Sequence, residues 1–359
     1  MTNDAERGQI RTIIVGAGQA GLAVANELIR RGLKPQHDFE IIDAGTVETL
    51  AWRGRWRSLT LFTPSGFSSL RALPLDNNPA RYPAGRDIAD YLDTVRERLQ
   101  VVPRWSTTAL SVQSAPHEHG LVLSTNRGDY WAQNVVAASG PFHSPRMPPF
   151  ADELQVPGES LHSHDYIGSD QLPEGRVLVV GAGNTGIQIA RELSSAHDVT
   201  IATGRPLRRL PQRVLGVDVF TWLRATGVLG IPASSLLGRR LARRELVIGE
   251  GLDELRGRGI ATLPRVVGVE RGEVIHEGGG RTRPTSVVWA TGYRSGFEWL
   301  PSQVRTTTNP SGLVHKNGRT PLKGLFVVGA PWLRNRASAL IGGVSADAAR
   351  VARAIGGAR

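Results

Sequence analysis

The stretch IIVGAGQAGLAVANEL, residues 13–28, carries three glycines in the spacing GxGxxG between an apolar run and a segment with apolar residues at helical spacing. The chain repeats this pattern in VVGAGNTGIQIAREL, residues 179–193. Strand, glycine turn and helix in this order aim the N-terminus of the helix at phosphate groups. The sequence therefore predicts two dinucleotide-binding units in one polypeptide.

In the first unit each glycine has a separate physical role. Gly16 makes the tight turn, Gly18 lets backbone N–H groups approach a pyrophosphate, and Gly21 lets helix and strand pack closely. The next apolar strand, FEIID, ends in Asp43, whose carboxylate can accept hydrogen bonds from a ribose diol. A turn-forming role for Asp43 is the alternative. This unit is predicted to bind a nucleotide with a free 2'-hydroxyl.

The second unit repeats the turn with Gly181, Gly183 and Gly186, and Asn184 and Thr185 stand between the last two glycines. All five are predicted to bind the second nucleotide.

The second strand of this unit, residues 199–202, is followed by TGRPLRR instead of an acid. Arginine at this point suits a 2'-phosphate, and Arg205 is the first candidate, with Arg208 or Arg209 as substitutes. A solvated turn residue is the alternative reading of Arg205. The second nucleotide is therefore predicted to be NADPH, with NADH left open.

Two bound nucleotides suggest FAD as the fixed cofactor and NADPH as the hydride donor. The chain has no cysteine, so it has no dithiol that could relay electrons, and thioredoxin-reductase-like chemistry is excluded. Hydride must then pass directly between two organic groups.

The composition restricts which classes of protein this chain can belong to. A chain of 359 residues, 40% hydrophobic and 21% charged, is expected to form about two packed domains. The N-terminus resembles no targeting signal and no apolar run reaches the roughly 18 residues of a membrane span, so a cytoplasmic protein without a membrane partner is expected. The net charge of +11 comes without a nucleic-acid motif, and no nucleic-acid partner is expected. The oligomeric state stays open.

Three further apolar strands end in small residues, at 134–140, 286–293 and 324–330. The last leads to a helix for which Ser345 is the expected N-cap, with Gly343 before it against the flavin. We predict an α/β fold with two Rossmann-like domains: an FAD domain of residues 1–168 and 287–359, and an NAD(P)H domain inserted at 172–286.

These residues resemble the class B flavoprotein monooxygenases, which include bacterial flavin-containing monooxygenases and the N-hydroxylating and Baeyer–Villiger enzymes. Their fingerprint FxGxxxHxxx(Y/F/W) is similar to Val156, Gly158, His162 and Tyr166, with Val in place of Phe. ATGY at 290–293 and the stretches 52–70 and 81–92 also resemble bacterial members. The likeness covers nearly the whole chain.

The resemblance implies that NADPH reduces FAD and that O2 then forms a C4a-(hydro)peroxyflavin, which oxygenates a small nitrogen- or sulfur-containing substrate. Alternatives are an NAD(P)H oxidase or reductase that releases H2O2, Baeyer–Villiger oxidation of a ketone, and a nucleotide-sensing protein without turnover. The sequence does not specify the substrate.

The resemblance also assigns further site residues. His162 and Tyr166 are the candidate catalytic positions, and His162 is expected to couple nucleotide binding to domain arrangement. A hydrogen-bonded loop histidine and direct catalysis are the alternatives for His162. No metal site is expected, although His162, His164 and Asp165 lie close in sequence. The other cofactor-lining candidates are Arg55, Trp56, Thr63, Thr291, Gly292 and Gly343, with core packing as the alternative for Trp56.

Overall fold

The computed structural model describes residues 10–49, 52–115, 120–204, 208–243 and 246–356. The strands within them are β1 (Ile10–Val15), β2 (Phe39–Ile42), β3 (Ala109–Ser114), β4 (Leu121–Thr125), β5 (Gly128–Ala137), β6 (Ser160–His162), β7 (Arg176–Val180), β8 (Asp198–Ala202), β9 (Arg208–Leu210), β10 (Arg213–Val214), β11 (Val217–Asp218), β12 (Leu246–Ile248), β13 (Ala261–Leu263), β14 (Val266–Glu270), β15 (Glu273–His276), β16 (Arg281–Thr282), β17 (Ser286–Trp289) and β18 (Leu325–Val327). The α-helices are α1 (Gln19–Ile29), α2 (Gly85–Arg98), α3 (Asn184–Leu193), α4 (Val219–Ala225), α5 (Leu236–Ala242), α6 (Leu252–Gly257) and α7 (Ile341–Gly356).

The first sheet has the order β2-β1-β5-β4-β3, and β18 also pairs with β5. β1, β2, β5 and β18 run parallel, whereas β3 and β4 form an antiparallel meander with β5. Residues of α1, α2 and α7 pack on one face of this sheet in a single apolar core. Because both chain ends contribute to that core, the first unit is discontinuous in sequence.

The second sheet is fully parallel, with the order β13-β8-β7-β17-β6. Its central strands are almost continuously apolar and buried, as expected for a parallel sheet covered on both faces. α3 and α6 cover one face. The fold prediction of two Rossmann-like α/β units is therefore confirmed.

Strand pairing bears on the domain boundaries. The second sheet takes β6 from before the predicted insertion at 172–286, and it takes β17, of which only Ser286 lies inside that insertion and the rest lies in the predicted FAD domain. β6 and β17 join because parallel neighbours extend a sheet whose edge would otherwise be unpaired. The pairing favours an insertion from about residue 160 to about residue 290, and the boundaries remain a proposal.

The last helix begins earlier than predicted. α7 starts at Ile341, so Ser345 lies inside the helix and is not its N-cap. The Ser345 hydroxyl instead accepts a hydrogen bond from the backbone N–H of Arg71 at 3.1 Å. Gly342 and Gly343 belong to the first turn, where their missing side chains let the helix pack against the carbonyls of Phe67 and Ala337.

Among the described residues, no helix has both the length and the apolar character needed to cross a membrane. In the same part of the chain, no group of three or more His, Cys, Asp or Glu side chains is arranged to hold a metal ion.

Candidate nucleotide-binding sites and active site

The first glycine turn has the shape of a nucleotide cradle. Gly16 has φ +113°, and a Cβ there would lie 2.8 Å from the carbonyl carbon of Ala138. A Cβ on Gly21 would collide with the carbonyl oxygen of Gly16. Gly18, by contrast, faces open space and begins α1 without a side-chain cap. Two glycines therefore serve protein packing, and the third leaves room for a ligand at the N-terminus of a helix.

The second turn reproduces this geometry. Gly181 has φ +114° and lies against Ala290, which follows β17 as Ala138 follows β5. A Cβ on Gly186 would collide with the carbonyl oxygen of Gly181, whereas Gly183 faces open space and begins α3 without a side-chain cap. The two glycine turns therefore share their backbone geometry as well as their sequence pattern.

The two units differ where the ribose of a bound nucleotide would lie. The carboxylate of Asp43 follows β2 and accepts hydrogen bonds from the backbone N–H of Ala17 at 2.7 Å and of Gly45 at 2.8 Å. Its remaining lone pairs suit a ribose diol. Since Val15 pairs with Ile42 and Val180 with Ala202, the position equivalent to Asp43 is Thr203. The second unit thus lacks the carboxylate that would repel a 2'-phosphate.

The residues present fit both nucleotides. An open glycine at an uncapped helix N-terminus suits a pyrophosphate, and the acid or its absence distinguishes FAD from NADPH. In the second unit, Asn184 Oδ1 accepts the backbone N–H of Ile248 at 2.9 Å, which ties the start of α3 to β12. Thr185 lies half-buried in the same turn.

Of the predicted 2'-phosphate arginines, Arg205 lies outside the described residues. Arg208 is exposed on β9. Arg209 forms an ion pair with Glu254 at 2.5 Å and donates to the carbonyl of Gly249 at 2.7 Å. Arg265, which was not among the predicted arginines, lies against Gly204 directly after Thr203, and its Nη2 donates to the Gly204 carbonyl at 3.4 Å.

Two crossing segments, residues 139–146 and 290–296, connect the sheets and run antiparallel to one another. Pro145 bridges to Tyr293, and the backbone N–H of Arg146 donates to the Gly292 carbonyl at 3.0 Å. The Thr291 hydroxyl donates to the Arg146 carbonyl at 2.6 Å. The chain therefore passes between the two units along one paired ribbon, and the predicted cofactor residues Thr291 and Gly292 belong to it.

His162 is fixed against this ribbon. Its Nδ1 accepts the backbone N–H of His164 at 3.0 Å, so its proton resides on Nε2, which lies 3.0 Å from the Gly292 carbonyl. Only 3% of the residue is exposed. Burial lowers the pKa of His162, while the hydrogen bond to Gly292 opposes that shift. Backbone groups thus hold both ring nitrogens, and the contact with Gly292 ties the ring to the crossing segment 290–296.

Arg55 joins the same cluster. Its guanidinium donates to the hydroxyl of Tyr293 at 2.5 Å and to the Phe142 carbonyl at 2.8 Å, one partner on each crossing segment. The Tyr293 ring meets His162 edge to face, with 5.1 Å between centroids. Arg55 was predicted to line a cofactor, and here it clamps the ribbon. We call Arg55, His162 and Tyr293 the hinge cluster.

Tyr166 and Trp56 are buried in the core of the second unit. The Tyr166 hydroxyl donates to Glu192 at 3.1 Å, and Glu192 also accepts the hydroxyl of Ser58. Glu192 lies at the far end of α3 from Gly183, so the structure does not bring Tyr166 to the glycine turn. These contacts favour a structural role for Tyr166, and its catalytic role stays a prediction.

Residues 52–62, which we call the bridging segment, touch both glycine-turn helices. The indole N–H of Trp52 donates to Gln19 Oε1 at 3.0 Å, and Gln19 Nε2 donates to the Ala339 carbonyl at 2.8 Å. Further along, the backbone of Thr60 exchanges two hydrogen bonds with Gln188 of α3, at 3.0 and 3.2 Å. One short stretch of chain therefore connects the two candidate nucleotide sites.

The bridging segment continues into Thr63, whose buried hydroxyl lies 2.8 Å from that of Ser68. A cavity of about 340 Å³ lies between this region and the start of α3. Side chains of both units line it, among them Phe62, Tyr82, Asn184, Ile187, Gln188, Arg191, Gln212 and Ile248. Gln188 was not among the predicted site residues, because its side-chain amide gains a role only from its long-range partner Thr60.

Comparisons with known proteins agree with this geometry. Residues 13–222 match the family model described as pyridine nucleotide-disulphide oxidoreductase. An uncharacterized CzcO-like oxidoreductase from Geobacillus kaustophilus is 35% identical over 94% of this chain and 96% of its own length. The probable indole-3-pyruvate monooxygenase YUCCA3 from Arabidopsis thaliana is 26% identical over 80% of this chain and 74% of its own length.

Among solved structures, a flavin-containing monooxygenase from Stenotrophomonas maltophilia has a similar fold. The TM-score is 0.73 at 23% identity, and the match covers 97% of this chain and 98% of that chain. The chain therefore belongs to the pyridine nucleotide-disulphide oxidoreductase family and is an oxidoreductase whose fold is similar to that of a flavin-containing monooxygenase.

Proposed function

We propose that the protein is a monooxygenase that uses NADPH and O2 to transfer one oxygen atom to a small nitrogen- or sulfur-containing substrate. The observation that carries the proposal is the bridging segment. It contacts Gln19 at the first glycine turn and Gln188 beside the second, so two nucleotides on these turns are linked by fewer than a dozen residues. Direct hydride transfer needs such proximity.

FAD, when bound, supplies a two-electron acceptor for NADPH and a centre that activates O2. The chain's own groups bind and orient. The Gly16–Gly18–Gly21 turn and Asp43 would hold FAD, and the turn around Gly183 would hold NADPH.

The protein must also keep water away from the reacting groups and hold the two units in a fixed arrangement. Phe62, Ile187 and Ile248 contribute apolar surface to the cavity between the units, which limits access of bulk water to the reacting groups. The hinge cluster fixes the relative position of the units, and in it His162 keeps its proton on Nε2. No acid–base pair is required of the protein, which agrees with a soft nucleophilic substrate.

The test is stoichiometry. Purified protein loaded with FAD is mixed with NADPH, oxygen and a panel of small amines and thioethers, and the consumed NADPH is compared with the oxygenated product and with H2O2. We expect at least one compound to give N- or S-oxide in nearly equimolar yield. The Gly183→Ala variant, with FAD bound, should consume little NADPH.

Three results contradict the proposal. If the protein takes up no flavin, no oxidoreductase function stands. If every compound leaves H2O2 equal to the NADPH consumed, the protein is an oxidase. If ketones yield esters while amines and thioethers yield nothing, the chemistry is Baeyer–Villiger oxidation.

A further inference from the structure

We propose that Arg265 binds the 2'-phosphate of NADPH and so sets the preference of this chain for NADPH over NADH. The inference rests on the proposed function, because it concerns the nucleotide bound at the second glycine turn. It adds a specificity-determining residue that lies far in sequence from the arginines after β8.

The fold determines where the 2'-phosphate of a bound nucleotide would lie. In this fold the residue after the second strand of each unit lies beside the ribose 2'-substituent. Asp43 holds this place in the first unit, and Thr203 followed by Gly204 holds it in the second. A group that reads a 2'-phosphate must therefore approach Thr203 or Gly204.

Arg265 contacts this position from just beyond the strand next to β8. β13 pairs with β8, and the backbone N–H of Thr203 donates to the Leu263 carbonyl at 3.0 Å. Two residues beyond Leu263, the side chain of Arg265 reaches across to Gly204. A Cβ built on Gly204 would lie 2.6 Å from Nε and 2.9 Å from Nη2 of Arg265. The guanidinium thus occupies the space that any larger residue at position 204 would fill.

The guanidinium of Arg265 is accessible to a ligand. Arg265 is exposed, and none of the carboxylates in the described part of the chain forms an ion pair with it. Its neighbours differ: Arg209 pairs with Glu254, and Arg256 pairs with Asp253 at 2.7 Å. The backbone of Arg265 is nevertheless fixed, since its carbonyl accepts the N–H of Glu277 at 2.7 Å. A fixed backbone and an exposed guanidinium that no described carboxylate neutralises suit a phosphate.

The surroundings leave room for such a ligand. An open cavity of about 510 Å³ borders Thr203 and Pro264, the residues that flank the Gly204–Arg265 contact. Arg256 also lines this cavity, but its charge is already paired. Arg256 therefore offers a matched control of equal charge at the same surface.

The experiment measures two fragments that differ only in the phosphate. Dissociation constants of 2',5'-ADP and 5'-AMP are determined by titration calorimetry on the FAD-loaded protein and on Arg265→Gln, Arg265→Lys and Arg256→Gln variants. Loss of a charge-assisted contact should weaken 2',5'-ADP about tenfold to hundredfold in Arg265→Gln and leave 5'-AMP within about twofold. Arg265→Lys should retain part of the affinity, and Arg256→Gln all of it.

A second variant acts without removing the charge. Gly204→Ala places a methyl group where the flexible end of Arg265 now lies, so the side chain moves while the fold persists. This variant should also weaken 2',5'-ADP selectively, and with it the ratio of kcat/KM for NADPH to that for NADH should fall.

The outcomes separate the two proposals. If the unmodified protein binds neither fragment, the proposed function fails, and this inference fails with it. If the unmodified protein binds 2',5'-ADP and Arg265→Gln binds it equally well, or loses both fragments to the same extent, only the assignment of Arg265 is overturned.

Discussion

Gly18 and Gly183 are the two motif glycines whose missing side chains leave open space, while Gly21 and Gly186 have a carbonyl in that position. The same substitution should therefore have opposite consequences within one motif. At the tight positions it strains the protein, and at the open positions it fills the space of a ligand.

We expect Gly21→Ala and Gly186→Ala to destabilise the fold by about 1–3 kcal/mol, or more where the backbone cannot yield. Gly18→Ala and Gly183→Ala should stay within about 1 kcal/mol of the unmodified protein. Gly18→Ala should nonetheless lose FAD, and Gly183→Ala should keep FAD and lose NADPH. Chemical denaturation, the visible spectrum and NADP⁺ titration measure the three quantities. Equal stability losses at all four positions would contradict this account.

Also at the scale of single residues, His162 is predicted to make stability depend on pH. Burial lowers its pKa, and nearby Arg55 and His164 act in the same direction, whereas Gly292 and Asp165 oppose it. Because the folded pKa lies below the ordinary value of about 6.5, the stabilisation is complete above that value and is lost as pH falls through the folded pKa.

The free energy of unfolding should therefore decrease as the pH falls below about 6.5. His162→Gln, which can still accept from His164 and donate to Gly292, should flatten this decrease. His37→Gln, at an exposed position, should leave it unchanged. Burial also lowers the pKa values of His164 and His315, so part of the slope should remain. An unchanged slope in His162→Gln would contradict the prediction.

At the scale of elements, the paired crossing segments depend on the hinge cluster. Tyr293→Phe removes the hydroxyl that accepts from Arg55 and leaves the ring contact with His162 in place. We expect a loss of about 0.5–1.5 kcal/mol in stability. Hydrogen exchange should increase at residues 139–146 and 290–296, and reduction of FAD by NADPH should slow at unchanged NADPH affinity.

Tyr130→Phe is the control, because Tyr130 lies on β5 beside Arg104 and outside the crossing segments. Tyr130→Phe should change neither hydrogen exchange at residues 139–146 and 290–296 nor the rate at which NADPH reduces FAD. If Tyr293→Phe behaves like Tyr130→Phe, the cluster is a packing feature without influence on the arrangement of the two units.

Local sequence was sufficient for the elements that begin each unit. The second strand of the second unit was predicted at residues 199–202, within one residue of the observed start of β8, because a short apolar run there ends in a turn. The start of α7 was predicted wrongly at Ser345. Its first turn contains two glycines that are stabilised by contact with Phe67 and Ala337, and that contact is not visible in local sequence.

The candidate site likewise combines residues that local sequence predicts with residues that only long-range contacts reveal. Both glycine turns and Asp43 follow from spacing, since their function resides in the backbone. The partnership of Arg55 with Tyr293 joins residues 238 positions apart, and the contact of Arg265 with Gly204 depends on the register of β8 and β13. No periodicity or motif encodes such pairs, so they required the structure.

At the scale of the whole molecule, the absence of cysteine separates this chain from dithiol-using members of its family. We expect NADPH consumption by the FAD-loaded protein to be unaffected by a maleimide or by iodoacetamide under mild conditions. The control is a cysteine-dependent flavoprotein disulfide reductase in the same assay, which should be inactivated. Inactivation of this protein by both reagents would point to a reacting group other than a thiol and contradict the expectation.

The packing of α7 against α1, and of β18 beside β5, has a consequence for biosynthesis. A nascent chain that has left the ribosome as far as residue 320 already carries every strand of the second sheet, but the first still lacks its closing strand and final helix. Domains fold as units as they emerge, so the inserted half matures while its host is incomplete. We therefore expect flavin to bind only after β18 and α7 have emerged, and a nonsense mutation that removes the last helix should yield a colourless product.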